Sequence, residues 1–332
     1  MATPIRERQF ESDEKLKIPQ AFVWRRLHSL LGLWLAIYLF EHLLINSQAA
    51  LFFRDNGYGF ISAVNKLEAL PYLKVIELVF LGLPFLLHGV WGIYYAWTAK
   101  PNSFHSVGAS PQLPQYKRNR AYTWERITAW LLIFGIIAHV VHMRFWAYPT
   151  SVEKSDERHY MVRVSYDLGL PSVADKLKVQ LFTFQEIQQK EELLKKQENQ
   201  LKNVVEDPSN EAYIHFLDQI QDEKKWLEAA KRKTLKANEV LGFSPSPGAA
   251  FYLLVRDTFK NPLMVILYSL FVLAASYHAF QGLWTFMIRW GITLTRRSQK
   301  RMRTLTNILM GTVMLLGLWA AWGTYWTIQF QG

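Results

Sequence analysis

Five apolar segments, at roughly 27–50, 75–98, 127–147, 262–288 and 306–329, decide what this chain can fold into. Each is about 20 residues or more, and at ~1.5 Å per residue such a helix spans a ~30 Å hydrocarbon layer. Trp, Tyr, Lys or Arg flank every segment, the residue types that anchor at a membrane interface. The mean hydropathy of −0.01 hides this, because it averages very apolar blocks with one strongly charged block. The expected fold class is therefore all-α, a polytopic membrane protein with five transmembrane helices. Buried helices of a large soluble protein are the weaker alternative.

The basic residues set the expected orientation, since cytoplasmic loops carry the excess of Lys and Arg. Arg6, Arg8, Lys15, Lys17, Arg25 and Arg26 precede or open span one; Lys100, Lys117, Arg118 and Arg120 follow span two. Arg289, Arg296, Arg297, Lys300, Arg301 and Arg303 lie between spans four and five, whereas the loop 51–74 has only Arg54, Lys66 and Lys74. This predicts a bacterial cytoplasmic-membrane protein with its N-terminus in the cytoplasm and its C-terminus outside. The formal charge of +11 is thus a topology signal and points to no nucleic acid. The first 24 residues are charged and are expected as a cytoplasmic tail rather than a cleaved signal. Cysteine is absent, which excludes disulfides, cysteine-held iron–sulfur clusters and covalent c-type haem.

Four regions follow: a tail 1–24, spans one to three in 25–147, an insertion 148–260, and spans four and five in 261–332. The insertion holds 17 Lys and Arg against 18 Asp and Glu, so the positive excess lies elsewhere. Periodic apolar residues predict amphipathic helices over about 180–206 and 210–241, with Asp207-Pro208-Ser209-Asn210 as the turn between them. "GFSPSPG", 242–248, is expected to end the second helix and begin a linker. The region reads as an extracytoplasmic helical hairpin that docks a partner or shields the membrane domain. His159 and His215 within it have no ligand-like spacing.

Ionisable residues inside spans are costly, and here they are histidines. His42 is in span one, His88 in span two, His139 and His142 in span three, and His278 in span four. One histidine on each of four helices matches a four-helix bundle clamping two bis-histidine haems. Depth pairs them: His139 lies five residues before Arg144 and His42 is followed by Asn46 and Gln48, while His88 and His278 lie 14 and 18 residues after Lys74 and Lys260. The expected pairs are His42 with His139 toward the outer face and His88 with His278 toward the inner face. Gly92 and Gly282, each four residues after a histidine, leave room on the same helix face for the edge of a flat ring; Gly32, Gly89 and Gly135 are further close-approach positions.

"RRLHSLLG", "EHLLIN", "LPFLLHGVWGIYYAWTAK", "ERITAW…AHVVHMR" and "YHAFQGLWTFMIRWGITLTRRSQKR" resemble the di-haem cytochrome b membrane anchors of bacterial succinate dehydrogenases and fumarate reductases, the five-span, single-anchor class. The resemblance covers about 22–148 and 255–325. It implies two non-covalent b haems with His42, His88, His139 and His278 as axial ligands, and it selects His139 over His142. It places Arg25, Arg26, His28 and Ser29 near haem propionates or a docked subunit. It further implies a flavoprotein and an iron–sulfur subunit as partners and a quinone as electron acceptor, with menaquinone favoured by the di-haem class. Arg118, Arg120, Arg296, Arg297 and Lys300 complete the cytoplasmic rim on which that partner would sit. The insertion and His142 depart from the family pattern.

Quinone reduction takes up protons, and Glu77, 11 residues before His88, lies ~16 Å from it toward the outer face. Glu77 is the expected proton or quinone residue, with Glu41 second. A cytochrome b subunit of a hydrogenase or formate dehydrogenase, and a haem-free transporter whose histidines are polar glue, are the rival readings.

Overall fold

The computed structural model describes residues 18–51, 57–98, 115–155, 157–202 and 211–331. The tail up to Lys17, Arg54, Lys100 and the expected turn at 207–210 lie outside the described residues. Five helices are long and apolar enough to cross a membrane: Gln20–Ala50, Leu73–Thr98, Lys117–Trp146, Pro262–Arg289 and Arg296–Phe330. The chain is a mostly helical, polytopic membrane protein. Span four is the hub, packed along spans one, three and five, and span two leans on span one.

Breaks in the spans have local causes. Pro84 has no N–H to give the carbonyl of Phe80 four residues earlier, and span two widens to a π turn over Leu78–Gly82 just before it. Trp34 of span one supplies the missing donor, its Nε1 reaching the Phe80 oxygen at 2.6 Å. Water is absent at this depth, so a neighbouring helix has to satisfy the freed group. Span four begins at Pro262 behind Asn261, whose side chain accepts from the Leu263 N–H at 2.9 Å. Span five begins with a capping box in which Thr295 and Ser298 satisfy each other's backbone N–H.

The insertion contains the expected hairpin, in helices Phe184–Lys202 and Glu211–Arg232. It also contains a four-stranded antiparallel sheet that the helical reading lacks. The strands are β1 (Thr150–Lys154), β2 (Glu157–Ser165), β3 (Gln180–Phe182) and β4 (Glu239–Ser244), in the order β1-β2-β4-β3. β3 and β4 occupy the outer ends of the two stretches expected as helix, so both helices are shorter. "GFSPSPG" is not a linker: Gly242, Phe243 and Ser244 finish β4, and Pro247 opens a buried helix, Pro247–Lys260. Ser246 caps that helix by accepting from the Ala249 N–H at 3.2 Å, with Pro at its first position.

The sheet is a septum with two covered faces, set by its two-residue side-chain period. Met161, Leu241 and Phe243 pack with Trp226, Ile187 and Leu194 of the hairpin. Val162, Val164 and Val240 face the other way, onto Leu253 and Leu254 of the helix Pro247–Lys260. A Cβ at Gly242 would lie 3.2 Å from both Leu253 and Val162, so the helix approaches β4 over a glycine. The same core runs on into the bundle through Ala49, Val265, Ala321 and Tyr268. Asn65, on the short helix Tyr58–Glu68, ties the joint by accepting from the Gly248 N–H (2.8 Å) and the Ser246 hydroxyl (3.1 Å). The insertion is therefore packed onto one end of the bundle, called here the insertion end.

A buried ion cluster fastens the helix Pro247–Lys260 to the sheet. Arg256, 3% exposed, donates twice to Asp167, at 2.6 and 2.7 Å. Lys260 reaches Asp167 at 2.7 Å and the Ser165 carbonyl at 2.6 Å. Burial pushes the Asp167 carboxyl up, but the hydrogen bonds from Arg256 and Lys260 outweigh it and hold it at about 2. Because the folded value lies below the unfolded one near 3.9, the cluster stabilises fully above about pH 4 and is lost as pH falls toward 2. Asp167→Asn strands the Arg256 charge and is expected to cost about 3–5 kcal/mol. In thermal melts of detergent-purified protein its midpoint falls well below wild type at pH 7, and the gap narrows between pH 4 and 2.

Candidate functional site

The bundle interior brings the span histidines together in two pairs. His42 of span one faces His139 of span three, ring centroids 6.0 Å apart and planes at 84°. His88 of span two faces His278 of span four at 6.3 Å and 88°. The first pair is nearer the insertion end. In each pair the partners come from different helices, so bundle packing sets the separation.

All four imidazoles are held at Nδ1. His42 Nδ1 lies 3.4 Å from the Tyr38 hydroxyl and His139 Nδ1 lies 3.1 Å from the Tyr268 hydroxyl. His88 Nδ1 lies 3.0 Å from the His28 carbonyl and His278 Nδ1 lies 3.2 Å from the Glu125 carbonyl, both carbonyls accepting. Among the described residues no hydrogen bond reaches any of the four Nε2 atoms. A carbonyl at Nδ1 makes that nitrogen the N–H and leaves Nε2 free to ligate, and a tyrosine hydroxyl does the same where it accepts, the usual arrangement behind a metal-binding histidine. Tyr38 was legible in the sequence as the residue four before His42, on the same helix face. Tyr268 and the Glu125 carbonyl had no such signal, because they reach their histidines from other spans.

These pairs fit a b haem. Two imidazoles sharing one metal at ~2 Å per bond, with ~1.1 Å from nitrogen to ring centre, stand ~6 Å apart. Among the described residues there is no group of three or more His, Cys, Asp or Glu that could hold a metal ion. Two nitrogens per pair are the donor set for a metal already carried by a macrocycle. Space is available as well: a Cβ at Gly89 or Gly282 would meet nothing within 4 Å among the described residues. Gly32 is required by contact, since its Cβ would lie 2.9 Å from His88 Cε1. A Cβ at Gly135 would lie 2.5 Å from Phe271, the ring that flanks His139 with centroids 5.8 Å apart.

The other expected residues fall around the two pairs. His28 stacks on His88 with centroids 4.1 Å apart and planes at 7°. Ser29 accepts from Trp290 Nε1 at 3.0 Å, and the Arg26 guanidinium lies 5.0 Å from the Trp290 ring, tying span one to the end of span four. Arg25 is exposed. Glu77 is paired with Arg144 at 2.5 Å near the insertion end. Arg144 lies over the Tyr148 ring at 4.4 Å, and the Tyr148 hydroxyl donates to Glu68 at 3.3 Å. Burial, with Glu68 beside it, pushes Tyr148 up to about 12, so it stays a donor. Glu41 is exposed, on a different face of span one from His42. His142 lies in a π turn, Val141–Trp146, and its buried Nδ1 has no partner among the described residues.

The chain is similar to a succinate dehydrogenase cytochrome b subunit. It is 33% identical over 127 residues to the succinate dehydrogenase cytochrome b558 subunit of Bacillus subtilis (strain 168). The stretch covers 38% of this chain and 57% of that protein, so the chain spans a little over half the length of the relative it matches. No family model and no solved structure matches the chain.

The space beside Gly282 gives a direct check on the fit. A Cβ at Gly282 meets nothing within 4 Å among the described residues, and Gly282→Leu is expected to fold and melt like wild type. If the space is kept for a flat ring beside His278, the variant loses the b-type absorbance of that pair and keeps the other; retention of both components would mean that the space serves packing alone.

Proposed function

We propose that this chain is the cytochrome b membrane anchor of a succinate:quinone oxidoreductase. In this reading one b haem is held non-covalently between His42 and His139 and a second between His88 and His278. A flavoprotein oxidises succinate, an iron–sulfur subunit brings the electrons to the chain, and a quinone of the menaquinone class takes them away. The observation that carries the reading is the two pairs of imidazoles, with centroids 6.0 and 6.3 Å apart and ring planes nearly perpendicular, set one above the other along one bundle. Similarity to a succinate dehydrogenase cytochrome b subunit supports the choice of complex.

A b haem held between two such imidazoles would supply one-electron transfer and would leave no open position for oxygen. The protein's part is to fix the ligands and keep water out. The carbonyls of His28 and Glu125 accept from one pair at Nδ1, and the Tyr38 and Tyr268 hydroxyls hold the other. Two pairs at different depths give electrons a path along the membrane normal. The basic end, with Arg25, Arg26, Arg118, Arg120, Arg296, Arg297 and Lys300, is the proposed cytoplasmic docking rim for the iron–sulfur subunit, and the insertion end then faces outside. Glu77 is the proposed proton-handling group at the quinone, with Arg144 holding its Oε2.

Single histidine substitutions test the ligand assignment. His42→Ala and His139→Ala are expected to remove the same component of the reduced-minus-oxidised spectrum, and His88→Ala and His278→Ala the other. Loss of one shared component from His42→Ala and His88→Ala would overturn the pairing. Glu77→Gln in the assembled complex is expected to slow succinate–quinone turnover by about 10²-fold or more, as for loss of a positioned acid or base, with both haems still reduced by dithionite. Wild-type turnover would remove Glu77 from the mechanism.

A further inference from the structure

At the end of the bundle away from the insertion, spans three and five stand apart with span four as the floor between them. The resulting groove has a volume of about 460 Å³ and is lined by Lys117, Arg120 and Trp124 of span three, Tyr277 and Gln281 of span four, and Arg303 and Asn307 of span five. It belongs to neither histidine pair. We propose that this groove binds the headgroup of one anionic phospholipid, a phosphodiester carrying a hydroxyl, of the phosphatidylglycerol type.

Three features of the groove point to that chemistry. First, it carries three cations and no carboxylate among its lining residues. Among the described residues Lys117, Arg120 and Arg303 take part in no ion pair. Residues 99–116, which lead into Lys117, contain no Asp or Glu. The nearby acid Glu125 lines a separate cavity with Arg118 and Arg289. Three cations converging without a counter-charge are a site for an anion, and guanidinium matches a phosphate with two parallel donors.

Second, the groove lies at headgroup depth on the lipid-facing perimeter. Arg303 is seven residues into span five, ~10 Å below its start at Arg296, and its guanidinium rests over the Trp284 ring at 5.2 Å. Trp124 and Tyr277, which meet edge to face at 6.4 Å, are amphipathic rings of the interfacial kind. Deeper on the same two spans, Leu131, Phe134, Ile308 and Leu315 are exposed for acyl chains. A basic pocket between transmembrane helices at the basic membrane face is the known physical setting for an acidic lipid.

Third, the floor has an unanswered acceptor. Gln281 is 4% exposed, its Nε2 donates to Asn307 Oδ1 at 3.3 Å, and its Oε1 has no partner among the described residues. A buried amide oxygen without a donor is costly. A headgroup hydroxyl supplies the donor; a choline headgroup has none, and free phosphate brings no acyl chain to the exposed apolar surface below.

The test uses the full chain, purified from membranes, stripped of lipid in neutral detergent and titrated while native mass spectrometry counts bound lipid. Dioleoylphosphatidylglycerol is expected to bind once per chain, ahead of phosphatidylmethanol, which has the charge without the hydroxyl, and well ahead of phosphatidylcholine. Arg303→Gln is expected to weaken phosphatidylglycerol about fivefold, one surface cation's worth, whereas Arg303→Lys keeps binding and controls for folding. Gln281→Met is expected to erase the advantage of phosphatidylglycerol over phosphatidylmethanol. Equal binding of phosphatidylcholine, or wild-type affinity in Arg303→Gln, would overturn the site. Displacement of the lipid by millimolar inorganic phosphate would reassign it to the free anion, and parity with phosphatidylmethanol in wild type would overturn the hydroxyl.

Discussion

Everything in the membrane half of this protein depends on four imidazoles each anchored at Nδ1. An unpartnered imidazole in hydrocarbon is expensive, and a lone histidine could be placed by its own helix. These four are placed by their neighbours: a carbonyl from span one for His88, a carbonyl from span three for His278, and a tyrosine from span four for His139. His42 alone relies on its own span, through Tyr38 one turn away. Fixing the ring this way requires the spans to pack in one register. The glycines follow from that register, because Gly32 has no room for a side chain beside His88 and Gly135 has none beside Phe271.

The insertion takes part in the same arrangement. In the last turn of its helix Pro247–Lys260, Phe259 meets Tyr268 edge to face at 5.2 Å, and Tyr268 is the hydroxyl at His139 Nδ1. A contact chain thus runs from the sheet, through the Asp167–Arg256 cluster and Phe259, to the histidine pair nearer the insertion. The two pairs differ in what anchors them. Backbone carbonyls serve the pair far from the insertion, and they cannot be changed by substitution. Tyrosine hydroxyls serve the near pair, and they can be altered without moving the backbone. In the proposed haem-binding role, groups behind a ligand set its basicity, so the near pair is the one whose properties this chain would have room to tune.

Legibility in the sequence followed the range of the signal. The five spans were readable because length and hydropathy are local and strong. Distance along each span from charged flanks placed His42 and His139 at one level and His88 and His278 at another, and the structure sets each of these together. The sheet was not readable as such. β3 is three residues long and β4 follows a strongly amphipathic helix, so a 3.6-residue pattern absorbed both. Ser246-Pro247 carried a legible signal, an N-cap followed by proline at the first helical position, but two prolines and two glycines in seven residues looked like a linker. The partners of Glu77 and His139 lie 67 and 129 residues away, and only tertiary packing brings such residues together.

If each imidazole pair holds one haem, the chain carries two, and haem stoichiometry tests this. The full chain, purified from haem-replete membranes, would be assayed for b haem by the pyridine haemochrome spectrum against protein determined by amino-acid analysis. Two haems per chain are expected. A value of one would contradict the two-pair architecture, and a value of zero would leave the imidazole pairs as packing.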